Sequence, residues 1–319
     1  MSSRHLVDAQ IAPLIEIFAQ MAFTPEGLSA LRDAPMTAPS PPDDRVKREC
    51  VTVPGPAGAP DIDLHILTPV HAQGPLPLIY HIHGGGYIVG KASEMVLRHQ
   101  SLVAELGCAL ASVEYRLAPE TPFPGAIEDC YSGLAWMFDH AAERGIDPAR
   151  IGVMGESAGG GLAAALALLA RDRGDYRLAF QHLIYPMLDD RTGTSSDPHP
   201  YVGEYVWTAE SNRFGWSALL GHEPGGDDVS PYAAPARATD LSRLPPAFIY
   251  TGALDLFLEE DLDYARRLAR AGVPVEFHLF PGAFHGFELQ EDSHLAGAAR
   301  RLSMAALRRF MALSDDGPA

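Results

Sequence analysis

One serine stands between two glycines at the spacing a strained turn needs: Gly155-Glu156-Ser157-Ala158-Gly159. An apolar run (residues 150–154) precedes it, and an Ala/Leu-rich stretch (158–172) follows. A strand that turns at once into a helix leaves no room for side chains flanking the serine, and glycine meets that condition. The same turn aims the helix N-terminus at the hydroxyl, so partial positive charge lies where an oxyanion would develop. The chemistry this suits is nucleophilic attack on a carbonyl carbon. A glycine-rich turn that merely caps a helix is the plainer alternative, and the strand-to-helix setting weighs against it.

A second glycine run, His83-Gly84-Gly85-Gly86-Tyr87, follows the apolar stretch 76–82. Its N–H groups are unobstructed and can form half of an oxyanion hole opposite the N–H of Ala158. A phosphate cradle would need a lysine in register, and Lys91 is out of register. The serine also requires a base and an acid that orients the base. Thirteen histidines compete for the base. His285 stands out on the loop 281–287, just after a strand ending at Phe280, and Asp255 follows the preceding strand. The order Ser157, Asp255, His285 is that of α/β hydrolases rather than of other serine hydrolases. Glu259, Glu260 and Asp261 are rival acids, but they fall in the next helix, where a solvated acidic first turn is expected. A histidine base works when neutral, so activity is expected to climb with pH through roughly 6–7. His81 is expected to be packed and hydrogen-bonded, and His65, His140, His182 and His278 to be structural or superficial. His65, His71, His81 and His83 have no partner acid at ligand spacing, so no metal site is expected.

The elements that must position these groups alternate. Strands are expected at 61–68, 76–82, 108–113, 150–154, 178–185, 247–251 and 273–280. Helices are expected at 95–106, 125–144, 158–172, 259–271 and 293–312. Such alternation predicts a mostly parallel α/β sheet flanked by helices. At the start, Leu6, Ile11, Leu14, Ile15, Phe18 and Met21 recur at helical spacing, and the proline-rich residues 34–44 read as a linker. Residues 189–228 carry Tyr201, Tyr205, Trp207, Phe214 and Trp216 among turn formers and read as an insertion of loops and short helices.

Taken together, HGGGY at 83–87, EYRLAPE at 114–120, GESAGGG at 155–161, YPMLD at 185–189 and FHGF at 284–287 resemble the hormone-sensitive-lipase family of esterases, in its microbial branch. The resemblance runs from about residue 45 to the end. It implies an eight-stranded α/β-hydrolase core (49–188 and 231–319) with a helical cap made of two segments (1–48 and 189–230). It also implies carboxylester hydrolysis through an acyl-enzyme, without a cofactor. The catalytic residues it implies are Ser157, Asp255 and His285, with oxyanion donors at Gly84, Gly85 and Ala158 and support from His83, Gly86 and Glu156. Two departures are the Asp255-Leu256-Phe257 acid motif, where many members read Asp-Pro-Leu, and Glu156, where Asp or Thr is commoner. Amide, formamide or lactone hydrolysis by the same triad, and a non-catalytic ligand-binding role, are the alternatives. A homodimer is compatible with the resemblance.

Composition narrows the partners. The 319 residues include 41 acidic and 24 basic side chains, a net charge of −17. Such a surface repels phosphate backbones and anionic lipid, so neither nucleic-acid binding nor stable membrane association is expected. The substrate expected is a small neutral ester of short to medium chain. Three scattered cysteines fit no disulfide framework or zinc motif, and a cytoplasmic location is expected.

Overall fold

The computed structural model describes residues 2–19, 21, 23–34, 40–72 and 74–313. Eight strands form one sheet: β1 (Val46–Val53), β2 (Ile62–Pro69), β3 (Leu76–Ile82), β4 (Ala109–Val113), β5 (Ile146–Glu156), β6 (Gln181–Ile184), β7 (Ala247–Gly252) and β8 (Val275–Phe280). Their order is β1-β2-β4-β3-β5-β6-β7-β8, with β1 and β2 antiparallel to their neighbours and the remaining pairs parallel. The central strands are apolar without alternation because helices cover both faces; every residue of β3 and β4 is buried. β1, with Lys47, Arg48 and Glu49 exposed, is an edge strand defended by charge. That charge hid it from the pattern reading, and it straddles the expected boundary at residue 48.

Nine helices are described: α1 (Pro13–Phe18), α2 (Leu28–Asp33), α3 (Ala92–Met95), α4 (Gln100–Leu106), α5 (Gly125–Asp139), α6 (Ala158–Arg173), α7 (Ala209–Leu220), α8 (Leu258–Arg270) and α9 (His294–Phe310). Helix α4 ends at Gly107 with a left-handed φ of 63°, as its sequence predicts. The N-terminal helix is shorter than its apolar spacing suggests: Pro13 starts α1, which ends at Phe18. Ile11 and Leu14 are buried with Phe284 and Phe287, whereas Leu6 is exposed. The proline-rich stretch expected to be a linker lies partly outside the described residues. α7 is the main helix of the expected insertion, capped by the Thr208 hydroxyl.

Candidate active site

The serine turn is as tight as its sequence demands. Ser157 adopts φ 56° and ψ −121°, a conformation that costs a non-glycine residue about 1–3 kcal/mol. Surrounding hydrogen bonds hold it there: its N–H donates to the Ile184 carbonyl at 2.9 Å, and its carbonyl accepts from Gly161 and Met187 at 3.0 and 2.9 Å. A Cβ on Gly155 would lie 2.3 Å from the Gly159 oxygen, and one on Gly159 would lie 2.1 Å from the Ile82 oxygen. Both glycines are therefore required by close backbone approach.

Asp255 and His285 reach this serine from the ends of β7 and β8. Nε2 of His285 is 2.9 Å from Ser157 Oγ, and Nδ1 is 2.9 Å from Asp255 Oδ2. The other carboxylate oxygen, Oδ1, accepts the backbone N–H of Phe257 at 3.0 Å. All three residues are buried, Asp255 completely. Rings clamp the imidazole: Tyr185 and Phe257 meet it edge-on, with centroids 4.5 and 5.2 Å away. Leu256 stands where many members of the family carry proline, and the residue after it still donates its N–H to Asp255.

Gly84, Gly85 and Ser157 line one cavity, and Ala158 follows the serine directly in the chain. The Cβ position of Gly84 is 3.4 Å from Ser157 Cβ. Ala158 opens α6, so its N–H has no partner within the helix. Among the described residues, no backbone acceptor takes the N–H of Gly84 or Gly85. His83 supports the loop from inside: its Nδ1 bonds the Gly84 carbonyl at 2.8 Å, and its ring stacks on Tyr115 at 4.3 Å. Burial pushes the His83 imidazole below its ordinary value. Gly86 lies against Trp207, which packs edge-on to Phe23.

These groups open into a cavity of about 670 Å³, lined near the serine by Phe18, Phe23, Tyr185, Val206 and Trp207. Asp43, Glu156, Glu288, Glu291 and Asp292 bring carboxyl groups to its wall, against the guanidinium groups of Arg98 and Arg300. The Tyr185 hydroxyl donates to Glu288, whose acidity burial weakens.

Glu156 does more than flank the serine. Its Oε2 is 3.0 Å from Nε2 of His81, and His99 Nε2 lies 3.1 Å from that same nitrogen. Burial raises the Glu156 carboxyl, but the adjoining His81 and then His99 outweigh it and hold it at about 2. Burial lowers the His99 imidazole to about 3. The three side chains present a possible ligand atom each within 4.8 Å of one another, a grouping that sequence spacing did not disclose.

One expectation is corrected. Of the rival acids, only Glu259 is exposed; Glu260 and Asp261 are buried. They sit on the inner face of α8, where burial drives both carboxyls well above their ordinary range. Glu260 Oε1 accepts the backbone N–H groups of Leu188 and Asp189 at 2.6 and 3.2 Å, and Oε2 accepts the Thr192 hydroxyl. Neither carboxyl replaces Asp255 beside His285.

Comparison with known proteins identifies the family. The family model described as alpha/beta hydrolase fold matches residues 79–289. The chain is 34% identical over 291 residues to carboxylesterase NlhH of Mycobacterium tuberculosis, covering 88% of each protein. It is 34% identical over 210 residues to an arylesterase of Saccharolobus solfataricus, covering 66% of this chain and 68% of that one. Among solved structures, a bacterial heroin esterase superposes with a TM-score of 0.87 at 39% identity, covering 96% of this chain and 98% of the other. Among the described residues no helix is long and apolar enough to cross a membrane.

Proposed function

From the premise that this chain belongs to the α/β-hydrolase-fold family, as a carboxylic ester hydrolase of the hormone-sensitive-lipase-like branch, we propose a two-step acyl transfer centred on Ser157. The observation that carries it is the unbroken chain Asp255–His285–Ser157, with both links at 2.9 Å, at the wall of the cavity. Nε2 of His285 accepts the Ser157 proton as Oγ attacks the ester carbonyl, and Asp255 stabilises the imidazolium through Nδ1–H. The N–H groups of Gly84, Gly85 and Ala158 hold the oxyanion, and each such donor contributes about 10²–10³ in turnover. Collapse of the tetrahedral species returns the proton from His285 to the departing alcohol. Water, deprotonated by the same nitrogen, then attacks the acyl-enzyme and releases the acid.

The substrate of this proposal is a neutral ester of short to medium chain, since carboxyl groups outnumber guanidinium groups along the cavity wall. Residues 1–48 and 189–230 act as its cap. In support, Phe18 and Phe23 from the first segment and Val206 and Trp207 from the second line the cavity, and Arg32 of α2 bonds Glu120 and the Ile88 and Ala118 carbonyls of the core. A cytoplasmic location belongs to the same reading and is supported by three free cysteines. Hydrolysis of p-nitrophenyl acetate by Ser157→Ala, and labelling of the serine by a fluorophosphonate, test the mechanism. Retention of most activity in the variant, or labelling at another residue, would refute it.

A further inference from the structure

Behind the serine turn, the sheet face that also carries Ser112 and His182 holds a polar cluster. His81 at the end of β3 and Glu156 at the end of β5 project from this face, and His99 reaches them from the turn before α4. Nε2 of His81 lies 3.0 Å from Glu156 Oε2 and 3.1 Å from His99 Nε2, and His99 Nε2 lies 3.7 Å from Glu156 Oε1. Hydrogen bonding alone satisfies this arrangement poorly. A proton on His81 Nε2 has two acceptors to serve. A proton on His99 Nε2 can serve His81, but it leaves a lone pair of His81 facing the carboxylate. The three facing atoms therefore compete for the protons available to them.

We propose that His81, His99 and Glu156 bind a divalent transition-metal ion of borderline softness, with zinc as the reference, reached from the same cavity as Ser157. Tetrahedral coordination at zinc–ligand distances of 2.0–2.2 Å sets ligand atoms about 3.3 Å apart. The imidazole nitrogens are 3.1 Å apart, and the carboxylate approaches them through different oxygens, Oε2 at 3.0 Å from His81 and Oε1 at 3.7 Å from His99. Two imidazoles and a carboxylate are a ligand set suited to zinc, and His99 and Glu156 both line the cavity from which an ion would reach them. Support beyond the ligands is also present. Nδ1 of His81 lies 2.8 Å from the buried Ser112 hydroxyl, and in the tautomer whose Nδ1 proton that hydroxyl accepts, the Nε2 lone pair is left for the metal. The nearest cation in sequence, Arg98, is directed to Glu291 at 3.5 Å. This site stands apart from the esterase mechanism, which routes no step through it.

The test is direct binding rather than turnover. Chelator-treated full-length protein is titrated with ZnCl₂ by calorimetry and with CoCl₂ by visible absorption. One ion per chain is expected, with micromolar or tighter affinity and the absorption of tetrahedral cobalt. His99→Gln, at the cavity wall, is expected to weaken zinc binding by at least about 100-fold, exceeding the 10–100-fold typical of losing an outer-shell partner. His285→Ala is expected to leave it unchanged, which distinguishes this site from metal capture by the triad histidine. His81→Gln should repeat the loss; if that buried substitution prevents folding, His99→Gln decides the matter. No tight site in the unaltered protein, binding within threefold in His99→Gln, or loss of the tight site in His285→Ala would each overturn the proposal.

Discussion

Asp255 offers its two oxygens to donors that cannot exchange places, and Asp255→Asn exploits this. Oδ1 takes the fixed backbone N–H of Phe257 and Oδ2 takes Nδ1–H of His285, in a site with no exposure. Asparagine keeps one oxygen. If it stays with Phe257, the amide NH₂ faces His285, whose Nδ1 must become the acceptor. The ring proton then moves to Nε2 and points at Ser157 Oγ, blocking the base with the proton it should lack. Reversing the amide would set NH₂ against the buried Phe257 N–H, leaving that donor unsatisfied at about 1–3 kcal/mol. The wrong tautomer therefore dominates, and the expected loss is about 10⁴ in kcat with little change in KM. Steady-state hydrolysis of p-nitrophenyl acetate measures it, with circular dichroism and a melting curve to show that the fold is retained. A folded Asp255→Asn enzyme within tenfold of the parent would refute the argument that this carboxylate sets the tautomer.

Other substitutions probe the surroundings. Gly159→Ala places a methyl group 2.1 Å from the Ile82 oxygen and 2.5 Å from the His83 oxygen, so the turn or the glycine loop must shift. A loss of at least about 10² in kcat/KM is expected, since misplacement by 1 Å has that effect. His182 is buried with both ring nitrogens unpartnered, and burial holds it at about 4. The unfolded chain protonates this ring below about 6.5 and the folded chain does not, so its contribution is complete above 6.5 and is lost as pH falls toward 4. Urea unfolding between pH 7 and 4 should reveal about 3 kcal/mol of acid sensitivity that His182→Phe removes. Trp207→Ala removes a ring from the cavity wall and is expected to move preference toward longer acyl chains, read as the ratio of kcat/KM for octanoate and acetate esters. A hemisuccinate ester should turn over more slowly than its neutral analogue; equal rates would count against the acidic wall as a filter.

The hydrogen-bonded grouping of Ser157, His285 and Asp255 is legible in sequence because its members follow strand ends in a diagnostic order, and the strands before them are apolar. Elements carrying both apolar and charged residues were harder to read. β1 was missed because an edge strand carries charge where a core strand carries valine. Glu260 and Asp261 elude the sequence because an acidic first turn looks the same whether its carboxyls meet water or, as here, are buried, with Glu260 on backbone amides. His99 and Glu156 gave no signal at all, since 57 positions separate them and only the parallel order β4-β3-β5 folds them together. Sequence spacing reveals ligands on one element, while ligands assembled across a sheet require the sheet.

The contacts of Glu260 bear on how this protein can change. That side chain grips Leu188 and Asp189 where the 189–230 segment leaves the sheet. One residue on, fully buried Asp190 pairs with Arg237 at 2.5 and 2.8 Å on the returning chain and accepts the N–H of Gly225 at 2.7 Å. Departure and return thus pass through a single fixed frame, and that frame is bolted to the helix that follows Asp255. What lies between is tied to the acid loop as well: the Gly203 N–H donates to the Leu254 carbonyl at 3.1 Å, and Tyr205 and Trp207 pack beside Phe284 and His285. The segment that shapes the ester pocket thus also braces the acid and the base, so a change of pocket is constrained by the bond-breaking step.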